Sequence, residues 1–286
     1  MKKYLKLMRT HHYIKNLLVL ATLACSGHLF NIEKLFSALI AFASFCLLSS
    51  VVYIINDIRD KEKDRNHPNK GKRPVSAGEI SVKNAWCLAA VLFVLSLVCN
   101  YFVFDLKSSL LLLLYFILNV AYSFGLKNVP IIDITILASG FLIRLLYGAF
   151  VTDIEVSKWL CLIVIAVAFY FSLGKRRNEL RQLGGSETRA VLQSYSVSFL
   201  DKSMGMCLTL ANVFYALWSM DSKTIAFYNN QYLIFTVPIV LLITMKYSMT
   251  VEGDSDGDPV EVLLHDKILL LLCGIYAATM FFILYI

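Results

Sequence analysis

Charge is what this sequence has least of. Of its 286 residues only 16% are Asp, Glu, Lys or Arg, against about 25% in ordinary soluble domains, while 58% belong to the set Ala, Val, Ile, Leu, Met, Phe, Trp, Tyr and Cys. A soluble protein of this size needs a polar exterior, and there are too few polar residues to build one. A water-soluble enzyme is excluded. Proline and glycine are scarce as well, at 5 and 13, which excludes collagen-like and Pro/Gly-rich disordered chains. The seven cysteines form no CxxC pair and each lies in an apolar stretch, so they read as small buried hydrophobes and not as disulfides or zinc ligands. No internal repeat or long linker is visible, and no small-residue cleavage site follows the basic Met1–Arg9 start, so no cleavable signal peptide is expected. What is left is an all-α membrane-embedded chain, read as a single domain over residues 1–286.

Crossing the hydrocarbon core takes about 20 mostly apolar residues. Nine stretches qualify, near 13–30, 34–57, 84–104, 108–125, 130–150, 156–174, 203–220, 229–249 and 267–286. Threading the chain through nine spans puts all but five of the 27 lysines and arginines on one side. The exceptions are Lys34, Lys107, Lys158 and Lys223 on the other side, and Arg144 within a span. The positive-inside rule makes the rich side cytoplasmic, with the N-terminus inside and the C-terminus outside. The same bias, with attraction to anionic lipid, accounts for the net charge of +7 without nucleic acid.

The cytoplasmic side carries the long connections, near 58–83, 175–202 and 250–266. The first opens on Asn56-Asp57-Ile58-Arg59-Asp60-Lys61-Glu62-Lys63-Asp64. On a continuing helix Asp57, Asp60 and Asp64 share one face. Stacked like charges repel unless something cationic binds among them, and Mg²⁺, which takes one or two carboxylates and completes its shell with water and phosphate oxygens, suits them. The alternative is a solvated helix end with ion pairs to Arg59, Lys63 and Arg65. Against it, Asn56 and Asp57 close an apolar span, where polar groups are costly and usually functional. Arg65, His67, Lys70, Lys72 and Arg73 follow at once. Carboxylates for a metal next to cations for phosphate oxygens describe a metal–phosphate site; a plain positive-inside loop is the other reading.

The run Asn56-Asp57-x-x-Asp60-x-x-x-Asp64, continued by His67-Pro68-Asn69-Lys70-Gly71-Lys72-Arg73-Pro74, resembles the first aspartate-rich motif of the UbiA-type intramembrane prenyltransferase superfamily. The resemblance extends to the nine-span layout and to Tyr122…Lys127. Arg9-Thr10-His11-His12-Tyr13-Ile14-Lys15-Asn16, Leu173-Gly174-Lys175-Arg176-Arg177-Asn178-Glu179-Leu180 and Gly257-Asp258-Pro259-Val260-Glu261-Val262 are similar to one branch, the polyprenyl-phosphate phosphoribosyltransferases. What the resemblance implies is an integral-membrane helical bundle, facing the cytoplasm of a bacterial or archaeal membrane. Its reaction is transfer of phosphoribose from phosphoribosyl diphosphate (PRPP) to a polyprenyl phosphate. Mg²⁺ is then expected on Asn56, Asp57, Asp60 and Asp64, with Asp57, Asp60, Lys15 and Lys175 closest to the chemistry. Asn16, Arg65, Lys70, Arg73, Tyr122, Lys127, Asp133, Arg144, Arg176, Arg177 and Glu179 are expected to line the substrates. Spacing alone leaves Tyr122 and Lys127 as an interfacial pair.

The sequence departs from the superfamily in its second loop. Residues 175–190 hold Lys175, Arg176, Arg177, Arg181 and Arg189 against Glu179 and Glu187, with no Asp. One carboxylate cluster and one guanidinium cluster suit two separately charged substrates: the metal-bound diphosphate of PRPP, and either the ribose phosphate or the lipid phosphate. Asp133 and Arg144 fall on one face of a span about 16 Å apart, too far to pair directly. Arg144 inside the bilayer needs a buried anion or polar neighbours, Asn119 and Asn212 being candidates. Asp254-Ser255-Asp256-Gly257-Asp258 lacks the closing Glu of a calcium loop, since His265 stands there. Two other functions compete. One is a prenyltransferase moving a polyprenyl group from its diphosphate to an aromatic acceptor, which the missing second aspartate cluster opposes. The other is a transporter of an anionic substrate, which the one-sided placement of polar residues opposes.

Overall fold

The computed structural model describes residues 2–65, 70–182, 190–253 and 257–285, the side chains of Lys70 and Ala190 excepted. The described residues are helical, with no strand. In chain order the α-helices are α1 (Lys2–Met8), α2 (Leu18–Cys25), α3 (Ile32–Arg59), α4 (Lys61–Arg65), α5 (Val82–Phe102), α6 (Leu106–Phe124), α7 (Ile132–Thr152), α8 (Lys158–Gln182), α9 (Val197–Met220), α10 (Ser222–Tyr228), α11 (Val237–Glu252), α12 (Pro259–His265) and α13 (Lys267–Tyr285). Side-chain caps start several of them. Asn31 accepts from the Lys34 N–H, Ser81 from Asn84, Asp105 from Ser108 and Ser196 from Phe199, at 2.8–3.2 Å, each meeting an otherwise orphaned helix-start donor.

Eight helices among the described residues are long and apolar enough to cross a membrane, α11 counted with the 3-10 turn before it. The expected first span is the one that falls short. Residues Thr10–Leu17 wind as a 3-10 stretch and run into the eight-residue α2. At about 2.0 and 1.5 Å per residue the pair measures about 28 Å, near the core thickness but without one continuous long helix. The expected loop edges also move. α8 runs on through Lys175-Arg176-Arg177-Asn178-Glu179-Leu180-Arg181-Gln182, and α9 begins at Val197. Lys, Arg, Glu, Gln and Leu are all good helix formers, so the helix outlasts the apolar run. Leu113, Leu241, Met245, Leu271 and Phe282 stand exposed, as side chains turned to lipid do.

The chain divides into two compact units. One comprises residues 1–127 and 143–155, built on α3, whose apolar window is 67% buried. There Ser44 and Ser96 exchange hydroxyl-to-carbonyl bonds at 2.9 Å beside buried Ala38, Ala41, Ala85 and Ala89, small residues that let α3 and α5 come close. α2 lies against the second half of α7 at Gly148, where an added Cβ would fall 1.9 Å from the Val19 carbonyl oxygen. The other unit comprises residues 128–142 and 156–286. Its core gathers Tyr170, Leu173, Leu200, Met204, Tyr247, Val251, Val262 and Leu269, from α8, α9, α11, α12 and the start of α13.

Candidate active site

In the first unit the expected helix does not continue through the acidic motif. α3 ends at Arg59, Asp60 sits at φ −91°, ψ 3°, and α4 begins at Lys61. The three carboxylates therefore do not form one stacked row. Each is drawn to a cation from elsewhere in the chain. Asp57, 1% exposed, has Arg9 Nη2 at 2.5 Å and Arg73 Nη1 at 3.2 Å on the same oxygen, Oδ1. Arg73 also pairs with Asp64, and Lys127 pairs with Asp60. The partners anticipated along the local sequence, Arg59, Lys63 and Arg65, are not those that serve here; Arg59 lies over the Phe124 ring at 5.0 Å and Arg65 is exposed. Arg9 reaches Asp57 from a left-handed backbone, φ 53° and ψ 48°, an uncommon state for a non-glycine residue. Its guanidinium also covers Tyr53 at 4.9 Å. Burial, and then the positive charge of Arg9, push the Arg73 guanidinium below its ordinary pKa. Asn56 accepts from Ser123 Oγ at 3.2 Å, and Tyr122, half-buried, lies in the last turn of α6.

Donor chemistry at Asn56, Asp57, Asp60 and Asp64 is all oxygen, the kind Mg²⁺ takes. Among the described residues no three acidic, His or Cys side chains converge on a common point, yet Mg²⁺ commonly uses only one or two protein carboxylates with water and substrate phosphate completing its shell. On that ground the residues fit the ion.

A second polar centre in this unit surrounds Arg144. Its Nε donates to Asn16 Oδ1 at 2.8 Å and its Nη2 to Tyr115 Oη at 3.2 Å, and the guanidinium lies over the Phe45 and Tyr115 rings at 5.0 and 5.1 Å. Asn16, 1% exposed, donates in turn to Cys46 Sγ and Ser49 Oγ, both at 3.2 Å. Asn16 and Tyr115 are thus polar neighbours of Arg144. Asn119 bonds to the Tyr115 carbonyl and Asn212 to the Leu208 carbonyl. Lys15, next to Asn16, is half-buried.

In the second unit the basic run 175–177 is balanced by the local Glu179 and by three acids from outside its segment, Asp133, Asp201 and Asp258. Arg176, 0% exposed, donates through Nε to Asp133 Oδ2 and through Nη1 to Glu179 Oε2, both at 2.6 Å. Arg177 pairs with Asp201, and Lys175, the most exposed of the three, lies 3.8 Å from Asp258. Tyr195 Oη donates to Asp133 Oδ1 at 2.7 Å and accepts from the Ile131 N–H at 2.6 Å. Gly257, at φ 74°, packs on α8 so closely that a Cβ would meet the Gly174 oxygen at 2.9 Å. Arg9, Tyr115, Tyr195, Asp201 and Asp258 are the participants that sequence reasoning did not assign to a site. Arg9 and Asp258 stood inside the motifs it quoted; Tyr115, Tyr195 and Asp201 carried no signal. Residues 66–69, 183–189 and 254–256, which include His67, Glu187, Arg189, Asp254 and Asp256, lie outside the described residues, as does the Lys70 side chain.

The architecture is that of a polytopic helical membrane protein with an acid-rich cluster at the end of its most buried helix. The sequence profile of the UbiA prenyltransferase family matches residues 17–284, and the chain belongs to that family. It is 34% identical over 271 residues to the decaprenyl-phosphate phosphoribosyltransferase of Corynebacterium glutamicum, covering 93% of this chain and 81% of that protein. It is 32% identical to the protein of the same name from Mycobacterium tuberculosis, covering 96% and 91%. A 4-hydroxybenzoate octaprenyltransferase of Francisella tularensis is 28% identical, over 67% of this chain and 69% of its own. Among solved structures, a UbiA homolog from Archaeoglobus fulgidus bound to DMAPP and Mg²⁺ superposes with a TM-score of 0.71 at 21% identity, over 99% of both chains.

Proposed function

We propose that this protein transfers phosphoribose from PRPP to a polyprenyl phosphate, with Mg²⁺, at the cytoplasmic face of a bacterial or archaeal membrane. The observation that carries the reading is the 32–34% identity, over more than nine-tenths of the chain, to proteins named decaprenyl-phosphate phosphoribosyltransferase. It is supported by the acidic cluster with its cationic partners in one unit and the cationic Lys175-Arg176-Arg177 run in the other. N-terminus in and active face to the cytoplasm follow from the charge asymmetry of the loops.

In this reading Asn56, Asp57, Asp60 and Asp64 hold Mg²⁺, which when bound would polarise the diphosphate leaving group. Arg9, Arg73 and Lys127 stand where they can receive phosphate oxygens, with Arg65, Lys70 and Tyr122 beside them in sequence. Lys15, presented next to the buried Asn16–Arg144 pair, neutralises charge near the reacting centre. Lys175 and Arg177 serve the second anion. Arg176, held by Asp133 and Glu179, orients the segment that carries them. The C1–O bond to diphosphate breaks, a bond from C1 to the lipid phosphate oxygen forms, and diphosphate leaves. The lipid phosphate is already anionic, so no general base is needed and catalysis is positioning and charge neutralisation.

Transfer of labelled ribose phosphate from PRPP to polyprenyl phosphate by purified protein, with Mg²⁺ or EDTA and beside Asp57→Ala, tests this. A labelled lipid that requires Mg²⁺ and vanishes in the variant is expected. Folded protein that instead moves a prenyl group from a polyprenyl diphosphate to an aromatic acceptor would replace the reading with that activity.

A further inference from the structure

The acids of the first loop carry their own counter-ions, which come from three places: Arg9 before the 3-10 stretch, Arg73 further along the first loop and Lys127 after α6. A carboxylate as buried as Asp57, 1% exposed, is expensive to leave unpaired, so without a divalent ion the chain has to neutralise it. Two guanidinium groups do so, on one and the same oxygen. Asp57 Oδ1 is then taken by protein cations, and so are the Asp60 and Asp64 oxygens that Lys127 and Arg73 reach. None of the three cations is sealed in, since their side chains are 18%, 22% and 10% exposed for Arg9, Arg73 and Lys127. Two guanidiniums on one oxygen also repel each other, and Arg9 is held from a left-handed backbone of the kind that persists only where its surroundings enforce it.

We propose that Arg9, Arg73 and Lys127 are displaceable counter-ions, which occupy the acidic site until a divalent cation arrives together with a diphosphate and then exchange the carboxylates for the phosphate oxygens. The proposal rests on the reading above that these acids hold the metal. Its consequence is a coupling: the metal alone has to evict cations that then have no anion to receive them, and binds weakly, whereas metal and diphosphate bind together, because every charge is matched on both sides of the exchange. Removing one counter-ion should therefore improve metal binding in the absence of substrate, the reverse of what loss of a merely structural residue does.

The test is equilibrium dialysis of the full-length protein in detergent with Mn²⁺ as the probe, alone and with inorganic diphosphate on both sides of the membrane, for the wild type, Arg9→Gln, Arg73→Gln and Asp57→Asn. In the wild type diphosphate is expected to tighten Mn²⁺ retention about tenfold or more. Arg9→Gln and Arg73→Gln are expected to bind Mn²⁺ alone about tenfold tighter than the wild type, the order of effect of removing one nearby charge, and to lose most of the enhancement by diphosphate. Two variants guard against one of them failing to fold, which thermal unfolding reports. Unchanged or weaker Mn²⁺ binding by a folded Arg9→Gln or Arg73→Gln protein overturns the counter-ion exchange while leaving the metal assignment standing. Mn²⁺ binding by Asp57→Asn equal to that of the wild type under both conditions removes the metal from these acids, and the exchange falls with it.

Discussion

Tyr195 Oη accepts the Ile131 N–H at 2.6 Å and donates its own O–H to Asp133 Oδ1 at 2.7 Å, and the residue it holds, Ile131, stands at φ 67°. A β-branched residue in the left-handed region is a conformational outlier, costing about 1–3 kcal/mol. Tyr195 fastens that turn at the point where α7 begins, and the same oxygen bridges to the Asp133–Arg176 pair. Tyr195→Phe leaves a backbone donor and a buried carboxylate each one bond short. A loss of about 1–3 kcal/mol is expected, read as a lower unfolding temperature in detergent.

The same phenol predicts a pH dependence. Burial first, then the hydrogen bond to Asp133, push its pKa from 10.0 up to about 12. The folded state therefore holds a proton that the unfolded chain releases. The stabilisation is complete below pH 10 and is lost between pH 10 and about 12. Wild-type stability should fall across that window by a component that Tyr195→Phe lacks, measured as unfolding midpoint against pH for the two proteins. Between pH 6 and 9 this group should contribute no slope.

Arg176 and Asp133 are both 0% exposed and share a charged bond of 2.6 Å. Breaking such a pair from one side strands a buried charge, at about 3–5 kcal/mol, whereas replacing both partners with apolar groups of similar volume is far milder. Arg176→Met and Asp133→Leu should each destabilise strongly, and the double variant should recover a good part of the loss. If the pair orients Lys175 and Arg177 for the second anion, the folded double variant should show a raised KM for one substrate at a kcat reduced less. Steady-state kinetics with each substrate varied in turn decide it.

How far the sequence alone leads differs from residue to residue. Eight of the nine apolar runs expected to span appear as long apolar helices among the described residues, because length and hydropathy are local quantities. The 3-10 winding of Thr10–Leu17 is not legible, since it follows from packing: Asn16 has to face Arg144, and that requirement sits 128 positions away. The acidic motif is legible as a cluster of carboxylates at the end of a span. Which cation meets which acid is not, because the fold brings Arg9 and Lys127 to it from 48 and 67 positions away; Arg73 alone lies close enough in sequence to be read beside it. The basic run at 175–177 looked uncompensated for the same reason: Asp133, Asp201 and Asp258 neutralise it from outside its own segment.

Gly148 offers the sharpest test of how the amino-terminal segment is held. A Cβ there would lie 1.9 Å from the Val19 carbonyl oxygen and 2.7 Å from its carbon, distances no rotamer change relieves, because both atoms are backbone. Gly148→Ala must therefore push α2 off α7. The segment that moves carries Asn16 three residues before Val19, and with it the bond to Arg144. Arg144 would lose the 2.8 Å hydrogen bond from its Nε to Asn16, inside a part of the protein where replacements are scarce. Substitution by alanine is ordinarily mild or even favourable within a helix. Here a loss of more than about 2 kcal/mol is expected, as for other overpacked cores, together with reduced transfer activity, and Gly148→Ser should be no better. Ala149, 1% exposed, sits one residue on, and Ala149→Gly serves as the comparison, costing only about 1 kcal/mol of helix propensity. A Gly148→Ala protein with wild-type unfolding temperature would mean that α2 and α7 are not in backbone contact.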